Sequence, residues 1–168
     1  MNSSNVKPLN VYYLHGASML PLIKPKSKVY VLPLDNCKLK PGDIICFLQN
    51  SITFFAHRLI YFKNLNGKKY ALEKGDNVYA FSLIPYEQII AKVIKIEDDN
   101  CIINLNSCPW RIANFILGKI AFIHILLLKL FPYSYHSDPI IKKIPHYLAK
   151  IIFIIIEQIF IFLFSKKK

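Results

Sequence analysis

Residues 52–73 read ITFFAHRLIYFKNLNGKKYALE, two runs of strand-favouring residues with an Asn-Gly pair between them. Its first half, Ile52–Phe62, is rich in β-branched and aromatic residues, which favours a long strand. Asn66-Gly67 supplies two residues that tolerate a positive φ, the strongest short-range signal for a hairpin turn. Tyr70–Glu73 then returns as the partner strand. The stretch therefore predicts a β-hairpin.

Turn signals separate further short strands on both sides of this hairpin. Pro41-Gly42-Asp43 is a turn that precedes an apolar run, and Gly75-Asp76-Asn77 breaks the chain again. Short strands at regular intervals with Gly, Pro and Asn between them are typical of all-β domains. We therefore expect a mainly β, partly open barrel or sandwich-like domain over residues 1–109. Its other predicted strands are Val29–Leu34, Ile44–Leu48 and Ile89–Glu97.

Residues 110–168 have a different character. Ile112–Phe131 and His146–Phe164 are strongly apolar, a basic connector over Pro132–Pro145 separates them, and the chain ends in Lys166–Lys168. This pattern predicts a hydrophobic α-helical region that associates with a membrane. The alternative is a helical hairpin that caps the β-domain or a dimer.

The number of membrane spans stays open at this point. As a helix, His146–Phe164 would reach about 28 Å, close to the ~30 Å hydrocarbon core. Glu157-Gln158 offsets most of its apolar gain, which leaves this segment near the threshold for spanning. Ile112–Phe131 carries Lys119 near its centre, so a buried or in-plane helix fits it at least as well.

The net charge of +12 on a 54% hydrophobic chain excludes intrinsic disorder. It leaves two classes of partner, nucleic acid and an anionic membrane surface. Residues 110–168 contribute +7 of the charge, and the lysines of the β-domain are scattered at strand ends and turns. No nucleic-acid-binding motif is present. We therefore expect a lipid membrane as partner, no nucleic acid, and a location at the plasma membrane.

The cysteines do not indicate a metal site. Cys37, Cys46, Cys101 and Cys108 form no CxxC pair, and no histidine stands beside them at zinc-ligand spacing. We expect neither a metal nor a cofactor. Cys46 lies in an apolar run and is expected to be buried, and a disulfide between Cys101 and Cys108 would need an oxidising compartment.

Four short motifs carry the chemistry, and they occur in order along the β-domain. They are Gly16-Ala17-Ser18-Met19-Leu20-Pro21, Leu39–Phe47 with its Pro-Gly-Asp turn, Ala56-His57-Arg58-Leu59-Ile60, and Glu73-Lys74-Gly75-Asp76-Asn77. Each alone has an ordinary structural explanation. Together they supply a serine, a histidine and an aspartate on a β-scaffold, the groups needed for acyl transfer to serine.

At these residues the sequence resembles the type I signal peptidases. The box order Gly-x-Ser-Met-x-Pro, Leu-x-x-Gly-Asp-Ile-x-x-Phe, His-Arg, Lys-Gly-Asp-Asn and Ile-x-x-Lys-Val covers about residues 11–97. It is most similar to the archaeal and endoplasmic-reticulum-like branch, in which His-Arg stands where bacterial enzymes have a general-base lysine. The resemblance implies a membrane-linked serine endopeptidase that cleaves signal or leader peptides from precursors.

The resemblance also implies the roles of the site residues. Ser18 would be the nucleophile, His57 the general base and Asp76 the acidic member of the site. Supporting motif, substrate-contacting or oxyanion roles would fall to Gly16, Met19, Arg58, Gly75 and Asn77. Which carboxylate orients His57 stays open, because the position that often carries a further aspartate reads Ser82.

Two other functions are compatible with the same fold. A self-cleaving repressor of the LexA type is disfavoured, because only 17 residues precede Ser18 and because His57 stands where such proteins use lysine. A non-catalytic, membrane-attached scaffold is supported by Gly16, which replaces the family's usual hydroxyl residue, and by Ser82. The oligomeric state and the substrate do not follow from the sequence.

Overall fold

The computed structural model describes residues 10–49, 53–130, 132 and 140–168, with only the backbone of 140–142. Ile52, at the start of the predicted long strand, lies outside the described residues. The strands are β1 Asn10–Tyr13, β2 Lys28–Pro33, β3 Ile44–Gln49, β4 Thr53–Leu65, β5 Lys68–Lys74, β6 Phe81–Pro85, β7 Ile89–Glu97, β8 Cys101–Asn104 and β9 Lys166–Lys167. The helices are α1 Cys108–Leu130 and α2 Ile140–Phe164.

The strands form one curled antiparallel sheet, a half-barrel, with the order β1-β2-β7-β3-β4-β5-β6. Outside this order, β8 pairs with β7, and β9 pairs with β8. The predicted mainly β fold with a C-terminal apolar helical region is confirmed. The hairpin is confirmed as well, because Leu65 pairs with Lys68 around Asn66 and Gly67, whose φ angles are +49° and +76°.

Several elements differ from the sequence prediction. β1, β6, β8 and β9 were not predicted, because each has only two to five residues and its strand state depends on pairing with a neighbour. The predicted connector up to Pro145 is too long, since α2 already begins at Ile140. Pro145 is the sixth residue of α2, in its second turn, where it removes one backbone hydrogen bond, to the carbonyl of residue 141.

The predicted boundary between residues 109 and 110 falls in the first turn of α1. Trp110 and Ala113 of this helix are completely buried in the same core cluster as Val29 and Ile44 of the sheet. Further along α1, Leu117 and its neighbours pack on Ile60 and Leu72 of the sheet. The two regions of the sequence therefore share a hydrophobic core.

The two helices run antiparallel. Trp110, at the start of α1, contacts Phe160 near the end of α2, with ring centroids 6.2 Å apart. His124 of α1 meets His146 of α2 at 5.9 Å. Both helices are long and apolar enough to cross a membrane, which suggests membrane association.

Two glycines bring α1 into backbone contact with the turn before β3. Gly42 has a φ of +95°, and a Cβ there would lie 2.2 Å from the Asn114 carbonyl oxygen. A Cβ on Gly118 would lie 2.8 Å from the Cα of Gly42. Only glycine permits this approach, because a side chain at either position would occupy the space of the other backbone.

We predict that Gly42→Ala destabilises the protein by about 3 kcal/mol, because it adds strain at a positive φ and pushes α1 off the sheet. Gly16→Ala is the matched control, since no atom lies within 4 Å of its added Cβ. It should change stability by less than about 0.5 kcal/mol. Urea unfolding of both variants measures the difference, and equal effects would contradict the proposed backbone contact.

Candidate active site

Ser18 lies in a tight turn after β1, and the core holds this turn in place. Met19 is 2% exposed and packs with Leu22 and Ile23, and the Ile23 N–H donates to the Met19 carbonyl at 2.9 Å. The structure thus places Met19 in the hydrophobic core. Gly16 is exposed, and no atom of the described residues lies within 4 Å of a Cβ placed on it. The hydrophobic core therefore holds the turn that carries Ser18, and Ser18 is approachable from the side of Gly16.

His57 lies on β4 and contacts the serine directly. Its Nε2 is 3.0 Å from Ser18 Oγ, and its Nδ1 is 2.5 Å from Glu73 Oε2. A carboxylate only accepts hydrogen bonds, so Nδ1 carries the proton and donates to Glu73. Nε2 is then free to accept the hydroxyl proton of Ser18. The three side chains form one hydrogen-bonded line, the arrangement that a nucleophile, a base and an orienting carboxylate require.

Glu73, and not Asp76, is the carboxylate beside His57. The sequence prediction named Asp76 as the acidic member of the site and left the partner of His57 open. An unbroken hairpin register from Leu65 and Lys68 would place Asp76 opposite His57. Instead, the register shifts by one residue between Leu59 and Tyr61, so that Glu73 pairs with Leu59. This β-bulge makes Glu73 a diagonal, same-face neighbour of His57.

Asp76 lies on the other side of the sheet, where it binds Arg58. Successive side chains of a strand point to opposite faces, so His57 and Arg58 diverge. Arg58 Nε donates to Asp76 Oδ1 at 2.9 Å, and Nη2 donates to Oδ2 at 2.6 Å. Arg58 Nη1 donates to the Gly42 carbonyl and to Asn114 Oδ1, each at 2.9 Å. Arg58 and Asp76 are both buried, so this pair is structural.

Gly75 and Asn77 hold the serine turn against His57. A Cβ on Gly75 would lie 2.8 Å from the Ser18 carbonyl oxygen and 3.1 Å from His57 Nε2. The Asn77 backbone N–H donates to the Ser18 carbonyl at 2.7 Å, and its side-chain amide donates to the Ala17 carbonyl at 3.1 Å. The Gly75-Asp76-Asn77 motif therefore has two structural roles. Asp76 anchors it through Arg58, and Gly75 and Asn77 position Ser18.

A carboxylate from α2 completes the surroundings of Arg58. Glu157 is fully buried, and its Oε1 lies 3.6 Å from Arg58 Nη2. Burial and the nearby Asp76 raise the pKa of Glu157 well above its ordinary value. Sequence reasoning treated Glu157 only as a cost to membrane insertion and missed this contact. Glutamate at the centre of an apolar helix was the available signal.

Lys74 is a second buried cation on the Arg58 side of the sheet. Burial lowers its pKa to about 8, and its Nζ donates to the Gly75 carbonyl at 2.9 Å. It does not contact Ser18, so His57 is the base that the geometry offers.

Cys46 is fully buried, as predicted, and burial raises the pKa of its thiol to about 12.

No family model matches this chain, and no curated protein matches it significantly. The assignment of a function therefore depends on the residues and their geometry.

We predict losses of stability of different size for the two carboxylates of the motif. Asp76→Asn should destabilise the protein by roughly 3–5 kcal/mol, because it leaves the Arg58 charge buried without its partner. Glu73→Gln should cost less than about 1.5 kcal/mol, the range of one exchanged hydrogen bond. Urea unfolding measures both values, and a larger loss for Glu73→Gln would contradict the structural role given to Asp76.

We also predict a pH-dependent gain for Lys74→Met. The folded protein lowers the pKa of Lys74, so between about pH 8 and pH 10.5 the unfolded chain binds more protons and stability rises with pH. Below pH 8 the full penalty applies. The variant should therefore gain about 3 kcal/mol at pH 7, and the gain should shrink towards pH 10.5. A gain independent of pH would contradict burial of a charged lysine.

Proposed function

We propose that this protein is a membrane-associated serine endopeptidase that cleaves signal or leader peptides from precursors. One observation carries the proposal: the alignment of Ser18 Oγ, the His57 ring and the Glu73 carboxylate, at 3.0 Å and 2.5 Å. A hydrogen-bonded serine in a turn has many structural explanations. A serine bonded to a histidine whose far nitrogen meets a carboxylate has the geometry of an activated nucleophile.

The chemistry follows from these contacts. His57 Nε2 takes the Ser18 proton as Oγ attacks the scissile carbonyl carbon, and the carbonyl oxygen becomes an oxyanion. His57 then donates the proton to the leaving amine, which breaks the peptide bond and leaves an acyl-serine. A water molecule attacks the ester carbonyl carbon with His57 again as base, the bond from the acyl carbon to Oγ breaks, and His57 returns the proton to Oγ. Glu73 holds the ring in the required tautomer and stabilises the imidazolium throughout.

The Ser18 backbone N–H is the natural donor to the oxyanion, worth about 3 kcal/mol when well placed. The family that this sequence resembles commonly adds a hydroxyl from the position of Gly16. This chain offers no side-chain donor at that position. We therefore expect a lower turnover than in relatives with both donors, by about 100-fold or more.

β4 offers an unpaired strand edge beside the site. β4 pairs with β3 over residues 53–58, whereas β5 pairs with β4 only from Arg58 onwards. Within the described strands, one edge of β4 is therefore unpaired immediately before His57. A substrate can add to such an edge through backbone hydrogen bonds, which brings its scissile bond to Ser18.

The membrane part of the proposal depends on the helices and on charge. Signal and leader peptides are processed where precursors meet a membrane, and α1 and α2 are both apolar enough to bind one. The net charge of +12 favours an anionic leaflet such as that of a plasma membrane.

The test uses the purified full chain and a library of precursor-derived peptides, with new N-termini identified by mass spectrometry. The wild type should cut a defined subset of peptides. Ser18→Ala and His57→Ala should cut none of them, and Glu73→Gln should lower kcat by about 10⁴, the loss expected when a histidine is no longer held in its tautomer.

Glu87→Gln is the matched control for Glu73→Gln, because its side chain is exposed and it lies outside the site. It should cut like the wild type. Cleavage that survives in Ser18→Ala would overturn the mechanism. No cleavage by the wild type would favour the non-catalytic scaffold.

A further inference from the structure

The outer faces of the two helices carry long apolar stripes, and the exposed Lys119 interrupts the stripe on α1. On α2, the exposed large apolar side chains recur at helical spacing over residues 148–163. On α1, they follow a similar stripe over residues 112–130. Together they are Ile112, Phe115, Phe122, Ile123, Leu126, Leu130, Leu148, Ile151, Ile152, Ile155, Ile159, Phe162 and Leu163. An apolar surface this extensive marks an interaction site in a soluble protein.

The inner face of α2 is occupied by the β-domain. Phe153 packs in the same buried cluster as Ile60 and Leu72 of the sheet. Glu157 lies against Arg58, and after the helix Lys166–Lys167 pairs with β8 as strand β9. Contacts to the sheet therefore extend from the middle of α2 to its end.

A helix docked in this way cannot cross a bilayer. Crossing would carry the attached sheet, with its buried ion pair of Arg58 and Asp76, into the hydrocarbon core. Separation from the sheet would expose the Glu157 carboxyl to lipid without Arg58, at a cost of several kcal/mol. The arrangement that keeps both sets of contacts is one in which the helices lie flat.

We propose that α1 and α2 lie in the plane of an anionic phospholipid bilayer, on one side of it, with their outer stripes in the boundary between headgroups and acyl chains. Helices with one apolar face bind membranes in this way. The proposal rests on the membrane association inferred above, but not on the cleavage chemistry. It sets the number of spans at zero and puts both ends of each helix on the side of the catalytic domain.

A recess beside α1 is the place where anionic lipid headgroups would bind. The side chains of Lys38, Lys40, Arg111 and Lys119 line a recess of about 900 Å³, and all four residues are exposed. The acidic residue there, Asp43, is paired with Lys92 at 2.8 Å. The recess therefore has an excess of positive charge.

An apolar groove of about 460 Å³ continues from this recess. Both are lined by Pro41, Phe115 and Lys119, and the groove extends between Ile60 on β4 and Leu126 on α1. A basic recess joined to an apolar groove complements a phospholipid with an anionic headgroup and an acyl chain. Phe115 and Leu126 also belong to the outer stripe of α1, so the groove opens on the surface that meets the bilayer.

Membrane topology provides the first test. In a full chain with Cys37, Cys101 and Cys108 replaced by serine, only the buried Cys46 remains, and single cysteines are added as Glu87→Cys, Ser137→Cys or Ser165→Cys. Glu87 lies on the catalytic domain, residue 137 between the helices and Ser165 after α2. An impermeant maleimide is applied to inverted and to right-side-out membrane vesicles.

The proposal expects all three cysteines to react from the same side. If residue 137 reacts from the side opposite to the cysteine on the catalytic domain, α1 crosses the membrane. If residue 165 alone reacts from that opposite side, α2 crosses it. Either result overturns the in-plane arrangement while leaving membrane association intact. Recovery of the protein entirely outside the membrane fraction would overturn the membrane association itself, and peptide cleavage by the same sample reports separately on the catalytic proposal.

Lipid composition provides the second test, by sedimentation with vesicles of phosphatidylcholine alone or with added phosphatidylglycerol. The wild type should prefer the anionic vesicles. Lys38→Gln/Lys40→Gln should weaken binding to them roughly thirtyfold, since each lysine near an anionic surface contributes about 1 kcal/mol. Lys63→Gln/Lys68→Gln removes the same charge from the exposed hairpin and should have little effect. Equal losses in both variants would overturn the recess as the lipid site.

Discussion

The structure depends on a single buried guanidinium. Arg58 is completely buried, and its donors reach the Asp76 carboxylate, the Gly42 carbonyl and the Asn114 side chain. These partners come from the motif turn, the turn before β3, and α1. Removing a guanidinium from water costs several kcal/mol unless hydrogen-bond acceptors surround it. The three segments that supply these acceptors are therefore held in one relative position. Ser18 is positioned by the same turn that Arg58 anchors.

The sequence predicts those features that depend on neighbouring residues. Asn66-Gly67 fixes the hairpin through its own backbone preference, and the apolar runs fix the two helices. Ser18 and His57 follow from the order of the motifs and lie in hydrogen-bond contact in the structure. β6 and β8 are too short to be recognised without the strands beside them.

Glu73 shows why the remainder of the site requires the folded chain. A strand presents alternate residues to alternate faces, so a shift of one residue exchanges the side chains that meet a given neighbour. The bulge opposite Glu73 makes such a shift, and motif spacing does not reveal it. Glu157 illustrates the same limit over a longer distance, because its partner Arg58 is 99 positions earlier in the chain. Hydropathy alone predicts only that Glu157 disfavours membrane insertion, whereas in the fold it lies beside Arg58.

The position of Glu157 so late in the chain also affects how the protein is made. Synthesis proceeds at about 5–20 residues per second, and N-terminal parts fold first. The residues up to Asn104 are therefore joined to the chain about 3–10 s before Glu157 is added. During that interval Arg58 lacks its neighbours from α2, and the helix that covers this side of the sheet is still missing. A chain interrupted before α2 would hold the complete serine, histidine and glutamate on an unfinished support, so translation itself orders the assembly of the site.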